Sequence, residues 1–322
     1  RPYAPVQNAV IAGKKIYFWR KKMKKSKFKL IAALLLAAAM TVLSLSGAAP
    51  VLADETAAIL ANAAKSPAVH TAPEGYDQND FNKVRTFLEQ TDSNGIRNGE
   101  KLNPDGYDPD DPESWGALFV DEWGFEHEAY FDWEEVDGIN RMFAINLTYI
   151  KDFAGTFDMS GLDALSTLDV DGGNFTTADL SNCYEMTHCY FANSTLSSVN
   201  FFNCANVTEL YLQDNELTEV LNLGDCTSLL FLDILMNNDL EEIDLSGCER
   251  IIEHLDFSQT KVSDVNETEM FALCEFSCES SGITELDLRN CNYLNYVNCN
   301  FCDMDFLYPV SYTHLRAHET PE

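Results

Sequence analysis

Apolar residues return along most of this chain with a period of about 21 residues. The clearest unit, from Val207 to Val220, reads VTELYLQDNELTEV and follows the order L-x-x-L-x-L-x-x-N-x-L-x-x-L. A single unit of this kind cannot bury its own apolar row, so it must stack on copies of itself. The pattern therefore predicts a stacked repeat rather than a compact domain with one central core.

The repeat extends over more than half of the sequence. If each unit starts at the apolar residue that follows the Asn-like position, the spacings are 23, 21, 21, 21, 23, 22, 21 and 21 residues. The starts are Phe131, Ala154, Phe175, Leu196, Leu217, Leu240, Val262, Ile283 and Met304. Alternating apolar residues, such as Leu286 and Leu288, predict a short strand in each half of a unit. We expect a leucine-rich-repeat β-solenoid of 21–23-residue coils with parallel strands over residues 131–308.

The segment before the repeats predicts an N-terminal cap of a helix and loops over residues 76–130. A helix is indicated by NDFNKVRTFLEQT, with Asn79 or Asp80 as its N-cap. Its apolar face is expected to consist of Phe81, Val84, Phe87 and Leu88. A polar loop and an aromatic-rich stretch follow, which suit a lid over the open end of a solenoid core.

The first 75 residues divide into three segments. Residues 1–22 are interpreted as translated upstream sequence, because Met23 is a plausible initiator. Residues 23–53 have a cationic start, an Ala/Leu-rich core and Val51-Leu52-Ala53 before Asp54, which is the pattern of a secretory signal peptide. A retained membrane anchor is the alternative, since the apolar run approaches the length of a span. Residues 54–75 are interpreted as a linker.

Charge is strongly segregated in this sequence. The chain has a formal net charge of −31, but ten of its 21 Lys and Arg residues lie between Arg1 and Lys29. The 50 acids and ten bases of residues 54–310 leave a net charge of about −40 there. Such a surface repels nucleic acid and anionic membrane, so we expect neither as a partner. It suits a secreted or cell-wall-associated protein that is not inserted in a membrane after signal cleavage.

The ten cysteines follow the repeat. One position carries five of them, namely Cys183, Cys204, Cys226, Cys248 and Cys291, with Met270 as the sixth member of the row. A Met in that row indicates a position for a small or medium apolar group, with no covalent bond required. Disulfides remain an alternative in an exported protein. Cys274/Cys278 and Cys299/Cys302 have the spacing of zinc pairs, but the repeat register explains Cys278 and Cys299 without metal.

No pattern in the sequence points to catalysis, to a metal or to a cofactor. The six His residues are scattered, and no G-x-S-x-G, H-E-x-x-H or phosphate-binding Gly loop is present. The loop that starts at Asp92 begins like a calcium-binding EF-hand, but Ile96 occupies the place of an oxygen ligand. A solvated acidic turn is the alternative to a calcium site, and we expect a non-enzymatic protein.

The repeats TTADLSNCYEMTHCYFANST and TELDLRNCNYLNYVNCNFCD resemble those of leucine-rich-repeat proteins exported by gut-dwelling Gram-positive bacteria. The resemblance covers residues 76–307 and implies a non-catalytic secreted or surface adhesion module, broadly similar to the internalins. The sequence departs from the family's unit at Asn222, where a coil gains a residue, and at VNETEM, residues 265–270, where the L-D-L-S-x-C core is missing. Local bulges are expected at both places.

The tail SYTHLRAHETPE has no repeat phase and resembles a translated sequencing-adapter remnant. Residues 309–322 are therefore expected to be a non-native tail, and the natural protein to continue past about residue 308, with its own C-terminal cap. The alternative is a genuine disordered terminus.

Two outward rows are candidates for a binding face. The first half of each coil offers a mainly acidic and polar row, which includes Asp179, Asn200, Asp244 and Asp287. The second half is richer in aromatics and is expected to line a concave face, where exposed aromatics are typical contact anchors. The candidate ligand-binding residues are Tyr190, Glu209, Tyr211, Phe231, Asp233, His254, Asp256 and Tyr296.

The sequence thus predicts a monomeric secreted or surface protein that binds a protein or a glycan. A structural spacer is one alternative. The other is an enzyme whose catalytic part lies beyond residue 308.

Overall fold

The computed structural model describes residues 70–120, 126–148, 152–266 and 269–309. The expected upstream segment, the signal peptide, most of the linker and nearly all of the tail lie outside the described residues. The described part is a parallel β-solenoid of about eight coils, preceded by two helices and an antiparallel hairpin. Among the residues described, no helix combines the length and the apolar character that a membrane span requires.

The helices are α1 (Gln78–Leu88) and α2 (Asn98–Leu102), with a 3-10 turn at Pro112–Ser114. The strands are β1 (Ala117–Val120), β2 (Glu126–Val136), β3 (Ile139–Leu147), β4 (Phe157–Asp158), β5 (Thr167–Asp171), β6 (Thr177–Asp179), β7 (His188–Ala192), β8 (Ser198–Asn200), β9 (Glu209–Tyr211), β10 (Thr218–Asn222), β11 (Phe231–Asp233), β12 (Asp239–Asp244), β13 (His254–Asp256), β14 (Glu275–Ser277), β15 (Glu285–Asp287), β16 (Tyr296–Asn298) and β17 (Phe306–Tyr308).

Ten strands form one sheet, which we call the long sheet, in the order β1-β2-β3-β5-β7-β9-β11-β13-β14-β16. The pairs β1/β2 and β2/β3 are antiparallel, and every pair after β3 is parallel. Phe131, the expected start of the first repeat, lies in β2 and thus in the antiparallel hairpin. The parallel coils begin with β3, while the domain boundaries themselves stay predictions.

The other half of the coils forms three short sheets, β4-β6-β8, β10-β12 and β15-β17. The interruptions fall near the two departures from the repeat. A register shift lies between Glu219 and Val220 in β10, just before Asn222. Residues 261–266, which include the first two residues of VNETEM, form no strand, so β12 has no partner on its far side among the described strands. An irregularity in strand register thus lies close to Asn222, whereas the described part of VNETEM shows a missing strand rather than the expected bulge.

Helix α1 buries the apolar face that the sequence predicts, with Phe81, Val84, Phe87 and Leu88 at most 1% exposed. The expected N-cap at Asn79 or Asp80 is wrong. Asp77 is the N-cap, because its carboxylate accepts the backbone N–H groups of Asn79 and Asp80. Asp80 is instead fully buried and accepts hydrogen bonds from Arg141 Nε at 2.8 Å and the Met142 amide at 3.1 Å. It thereby joins α1 to β3.

A tight turn follows each strand of the long sheet from β7 onward, and the residue at its bend adopts a left-handed conformation. These residues are Asn193, Asp214, Met236, Gln259, Ser280 and Phe301, with φ between 51° and 63°. The residue after each of these bends is polar in five coils and is Cys302 in the last coil. We call these six residues the Asn row. Its members are Ser194, Asn215, Asn237, Thr260, Ser281 and Cys302.

The Asn row satisfies backbone groups that the turn leaves without strand partners. Asn237 is fully buried, and its Nδ2 donates to the carbonyls of Leu212 in the preceding coil and Ile234 in its own, both at 2.9 Å. Its Oδ1 accepts the Leu217 amide at 3.1 Å. Buried backbone groups are costly when unpaired, so this side chain fixes both the turn and the stacking of adjacent coils.

The predicted cysteine row is inside the solenoid. Its five cysteines and Met270 are at most 2% exposed, and all the described cysteines are free thiols in this structure. Cys183 Sγ donates to the carbonyl of Met159 at 3.4 Å, and Cys204 Sγ to that of Leu180 at 3.1 Å. Burial raises the pKa of Cys204 to about 11. These thiols therefore act as small apolar groups that also donate weakly to the preceding coil.

Candidate binding surface on the long sheet

All eight candidate residues lie on strands of the long sheet and share its outward face. Each candidate residue is adjacent to an inward residue of its strand, as Glu209 and Tyr211 are to the buried Leu210. The parallel register aligns Glu209 with Phe231 and His254, and Tyr211 with Asp233 and Asp256. The outward face therefore has two columns. The first is His188, Glu209, Phe231, His254, Glu275 and Tyr296, and the second is Tyr190, Tyr211, Asp233, Asp256, Ser277 and Asn298.

Four of these rings form a continuous row of ring contacts that crosses from the second column to the first, and we call it the aromatic ladder. The ring centroids of Tyr190 and Tyr211 are 5.9 Å apart, and those of Tyr211 and Phe231 are 4.7 Å apart. The Phe231 ring and the His254 imidazole stack at 4.0 Å with an interplanar angle of 5°. All four side chains are half-buried, so each ring keeps part of its surface open to solvent.

Carboxylates flank the aromatic ladder. His254 Nδ1 lies 3.0 Å from Glu275 Oε2, and His188 Nε2 lies 3.4 Å from Glu209 Oε1. Burial and the neighbouring charge of Glu209, to which the Tyr211 hydroxyl donates at 3.4 Å, raise the pKa of Tyr211. The strands from β5 to β16 on this sheet contain no Lys or Arg. The electrostatic character of the surface is therefore anionic throughout.

Two of the candidate carboxylates have a structural role as well. Asp233 Oδ1 accepts the Leu235 amide at 3.1 Å, and Asp256 Oδ1 accepts the Ser258 amide at 2.8 Å. This is the hydrogen bond of an Asx turn, which here begins the bend after the strand. Burial raises the pKa of Asp233, and the nearby charge of Asp256 acts in the same direction. The turn thus uses one oxygen of each carboxylate.

Tyr296 is not part of the aromatic ladder. Glu275 separates it from His254 in the first column, and its side chain is 52% exposed. A shallow pocket of about 250 Å³ lies between them, and its polar lining includes Asp256, Ser258, Gln259, Ser277, Glu279 and Asn298. Many of these groups bond to one another, as Asn298 does to Glu279 at 2.8 Å. In the part of the chain that the structure describes, no group of His, Cys, Asp and Glu residues fits a metal ion.

The sequence reasoning missed Glu275 and the pocket beside it. The signal was available, because Glu275 follows His254 by 21 residues and precedes Tyr296 by 21. The degenerate unit around VNETEM hides this register.

The acidic and polar row of the first half-coil differs in kind from the long sheet. Asp179, Asn200, Asp244 and Asp287 each accept the backbone amide two residues later through their side-chain oxygen. These are again Asx turns. The hydrogen bond that each side chain makes in the turn after its strand thus explains why Asp or Asn occurs at these positions, and no ligand is required.

No protein-family model matches the chain, and no curated protein sequence does. Among solved structures, it is similar to the functional domain of InlJ from Listeria monocytogenes, which is described as including a cysteine ladder. The match has 18% identity and a TM-score of 0.33, and it covers 52% of this chain and 46% of that one. The chain thus spans less than half of the InlJ domain, and the fold assignment stands on the coils and sheets described above.

Proposed function

We propose that this solenoid is a binding protein whose long sheet captures a protein partner with exposed Lys or Arg side chains. The observation that carries the proposal is the aromatic ladder, whose four rings are half-buried and have carboxylates on both sides. The strands from β5 to β16 of the long sheet carry no Lys or Arg. Fold and composition support binding over catalysis, since the surface is a sheet rather than an enclosed site.

Two physical effects favour a cationic partner. A guanidinium or ammonium group over an aromatic face is stabilised by about 0.5–2 kcal/mol, more as water is removed. The carboxylates of Glu209, Asp233, Asp256 and Glu275 add charge complementarity, which mainly raises the association rate. The rings are held by the stacked strands before binding, so little side-chain entropy is lost on contact.

The test uses the purified chain against an array of purified extracellular proteins and glycans. We expect binding to basic proteins, with an association rate that falls as ionic strength rises. Tyr211→Ala and Phe231→Ala should each weaken binding by roughly 30-fold or more, as for an interface hot spot. Phe202→Ala is the control, because Phe202 is an even more exposed aromatic, at 53%, in the turn after β8 rather than on the long sheet.

Three results would count against this proposal. Equal losses in the Phe202 and Phe231 variants would remove the long sheet as the binding surface. Salt-independent capture of glycans alone would replace the cationic protein by a sugar ligand. The absence of any binding would favour a structural spacer.

We propose further that the protein is exported, because residues 23–53 have the order of regions found in a secretory signal. Expression in a Gram-positive host should give a secreted product whose mass corresponds to a chain that starts at Asp54. A cell-associated product that retains residues 23–53 would support a membrane anchor instead.

A further inference from the structure

Two cysteines near the end of the described solenoid differ from the rest of the cysteines in how their sulfur atoms are placed. Cys278 Sγ and Cys302 Sγ are 3.9 Å apart. The residues belong to adjacent coils and are 24 positions apart in sequence. The thiols of Cys183 and Cys204 in the cysteine row also contact carbonyl oxygens of the preceding coil, so the short distance between two sulfur atoms is what sets Cys278 and Cys302 apart.

The repeat register explains why these two sulfur atoms meet. Cys278 occupies the second inward position of the long sheet, which Phe191, Leu212, Ile234 and Phe257 occupy in earlier coils. Cys302 takes the place of Asn237 in the Asn row, and its Sγ contacts the Cys278 carbonyl at 2.9 Å, as Asn237 contacts the Leu212 carbonyl. The Asn-row side chain of one coil thus lies over the inward residue of the coil before it.

We propose that Cys278 and Cys302 are an oxidation site, at which a disulfide joins the last two described coils of the solenoid. The sulfur atoms must approach by about 1.9 Å to reach the S–S bond length of about 2.05 Å. Cys302 is half-buried and lies in a turn that precedes β17. The two sulfur atoms can therefore approach by a change at one surface turn, while the buried Cys278, which directly follows β14, stays in place.

The reaction requires a disulfide oxidant, such as oxidised glutathione. Cys302, the more accessible thiol, loses its proton and attacks one glutathione sulfur, so that one glutathione leaves as a thiol. Cys278 then loses its proton and attacks Cys302 Sγ in the mixed disulfide, and the second glutathione leaves. The two cysteine sulfurs are oxidised, the glutathione disulfide is reduced, and the two protons end on the two glutathione thiols.

The bond would act on the candidate binding surface. It would close a loop that contains β16 and therefore Tyr296, the outermost candidate residue on the long sheet. Val297 in the same strand is 40% exposed, so apolar burial holds this strand less firmly than the inner ones. Oxidation would thus restrict the opening of the terminal strand, and reduction would release it.

The experiment equilibrates the full chain with oxidised and reduced glutathione at an oxidising ratio, followed by denaturation, alkylation and mass spectrometry. The chain has ten cysteines. We expect eight alkylated thiols and one peptide pair linked through Cys278 and Cys302. Limited proteolysis should cut the segment between them more slowly in the oxidised protein, and dithiothreitol should reverse this protection.

The control variants separate this disulfide from other causes. Cys302→Asn introduces the residue type that Asn237 has at the equivalent position of an earlier coil. The variant should therefore fold, keep all nine remaining thiols and lose the redox-dependent protection. Cys204→Ala should still form the disulfide and show seven alkylated thiols. Ten reactive thiols in the oxidised wild type, or a bond that involves Cys299 in place of either residue, would overturn the proposal.

Discussion

On the N-terminal side of the solenoid, Phe87 of α1 packs against Phe153, Phe157 and Phe175, with ring centroids 5.4–6.0 Å apart, and all four side chains are at most 1% exposed. At the other end of the described residues, Val297 in β16 points inward but is 40% exposed. Leu168, at the same inward position of β5, is fully buried, and so is Val170, the next inward residue of β5. Leu307 is 46% exposed, whereas its strand partner Leu286 is 1% exposed.

The same inward position thus contributes very different amounts of buried area according to its neighbours. In a solenoid, each coil contacts only the coils on either side, so stability is close to a sum of nearest-neighbour terms. Helix α1 supplies the missing neighbour on the N-terminal side. Within the described residues, apolar side chains are therefore buried more completely on the cap side than in the last coil, and the following changes test this contrast from the largest expected effect to the smallest.

Phe87→Ala should have the largest effect, because it removes a ring that contacts three others in a closed core. We expect a loss of about 3–5 kcal/mol in the free energy of unfolding. Leu307→Ala, the matched change at the exposed end, should cost less than about 1 kcal/mol. Urea titration followed by circular dichroism measures both, and a difference below about 1 kcal/mol would contradict the comparison.

Asn237→Ala tests the Asn row inside the solenoid. It leaves the buried Ile234 carbonyl and Leu217 amide without their side-chain partner, while the Leu212 carbonyl keeps Asn215 Nδ2 at 3.0 Å, so we expect a loss of about 2–3 kcal/mol. Ser281→Ala, in the same row nearer the end, should cost about 1 kcal/mol or less, because Ser281 is only half-buried and its contact with the Ile283 amide is 3.4 Å long. Equal losses in the two variants would show that the position of a coil along the solenoid does not change what its Asn-row residue contributes to stability.

Phe301→Asn should stabilise the exposed end. Phe301 has φ 57° and is 84% exposed, while the equivalent residue in an earlier coil is Asn193, with φ 51°. A bulky residue is strained in this conformation and an Asn much less so, which predicts a gain of about 0.5–1 kcal/mol. Hydrogen exchange of the amides in β16 measures the local gain. Faster exchange in the variant would mean that the Phe301 ring makes contacts that stabilise the last coil in the wild type.

The ion pair between α1 and the first coil should have the smallest effect and a characteristic pH dependence. Lys83 Nζ lies 2.6 Å from Asp158 Oδ1. Burial alone would raise the pKa of Asp158, but hydrogen bonds from Lys83 and Ser160 hold it below its usual range. A lowered carboxyl pKa stabilises the fold above the unfolded value of about 3.9, and this contribution is lost as the pH falls through the folded pKa.

Asp158→Asn should therefore destabilise the protein by about 0.5 kcal/mol at pH 7, since the carboxylate is 52% exposed and screened by water. The difference from wild type should shrink at pH 3. The pair of Asp287 and Arg289 is a useful contrast. Arg289 lowers the pKa of Asp287 to about 2, but the two residues lie in one turn, so their pairing does not join coils. A pH-independent difference for Asp158→Asn would argue against the ion pair.

The sequence predicted the repeat period, the apolar face of α1, the buried cysteine row and the shared face of the eight candidate residues. All four follow from local periodicity, since spacing in a strand or helix determines which side a residue faces. It did not predict the N-cap at Asp77, because Asn79 and Asp80 are equally good capping residue types. Only the contact with Arg141 on a distant strand requires Asp80 to turn into the core.

The coils, their two strand positions and their anionic surface were thus determined by the sequence itself, through a period that any stacking must respect. The tertiary structure alone decided the contacts between coils. Insertions change the spacing from 21 to 22 or 23 residues, and the register between neighbours depends on how each turn absorbs the extra residue. That register places Tyr211 diagonal to Phe231, Phe231 opposite His254 and Cys302 beside Cys278, because packing of the inward residues fixes where each outward residue lies.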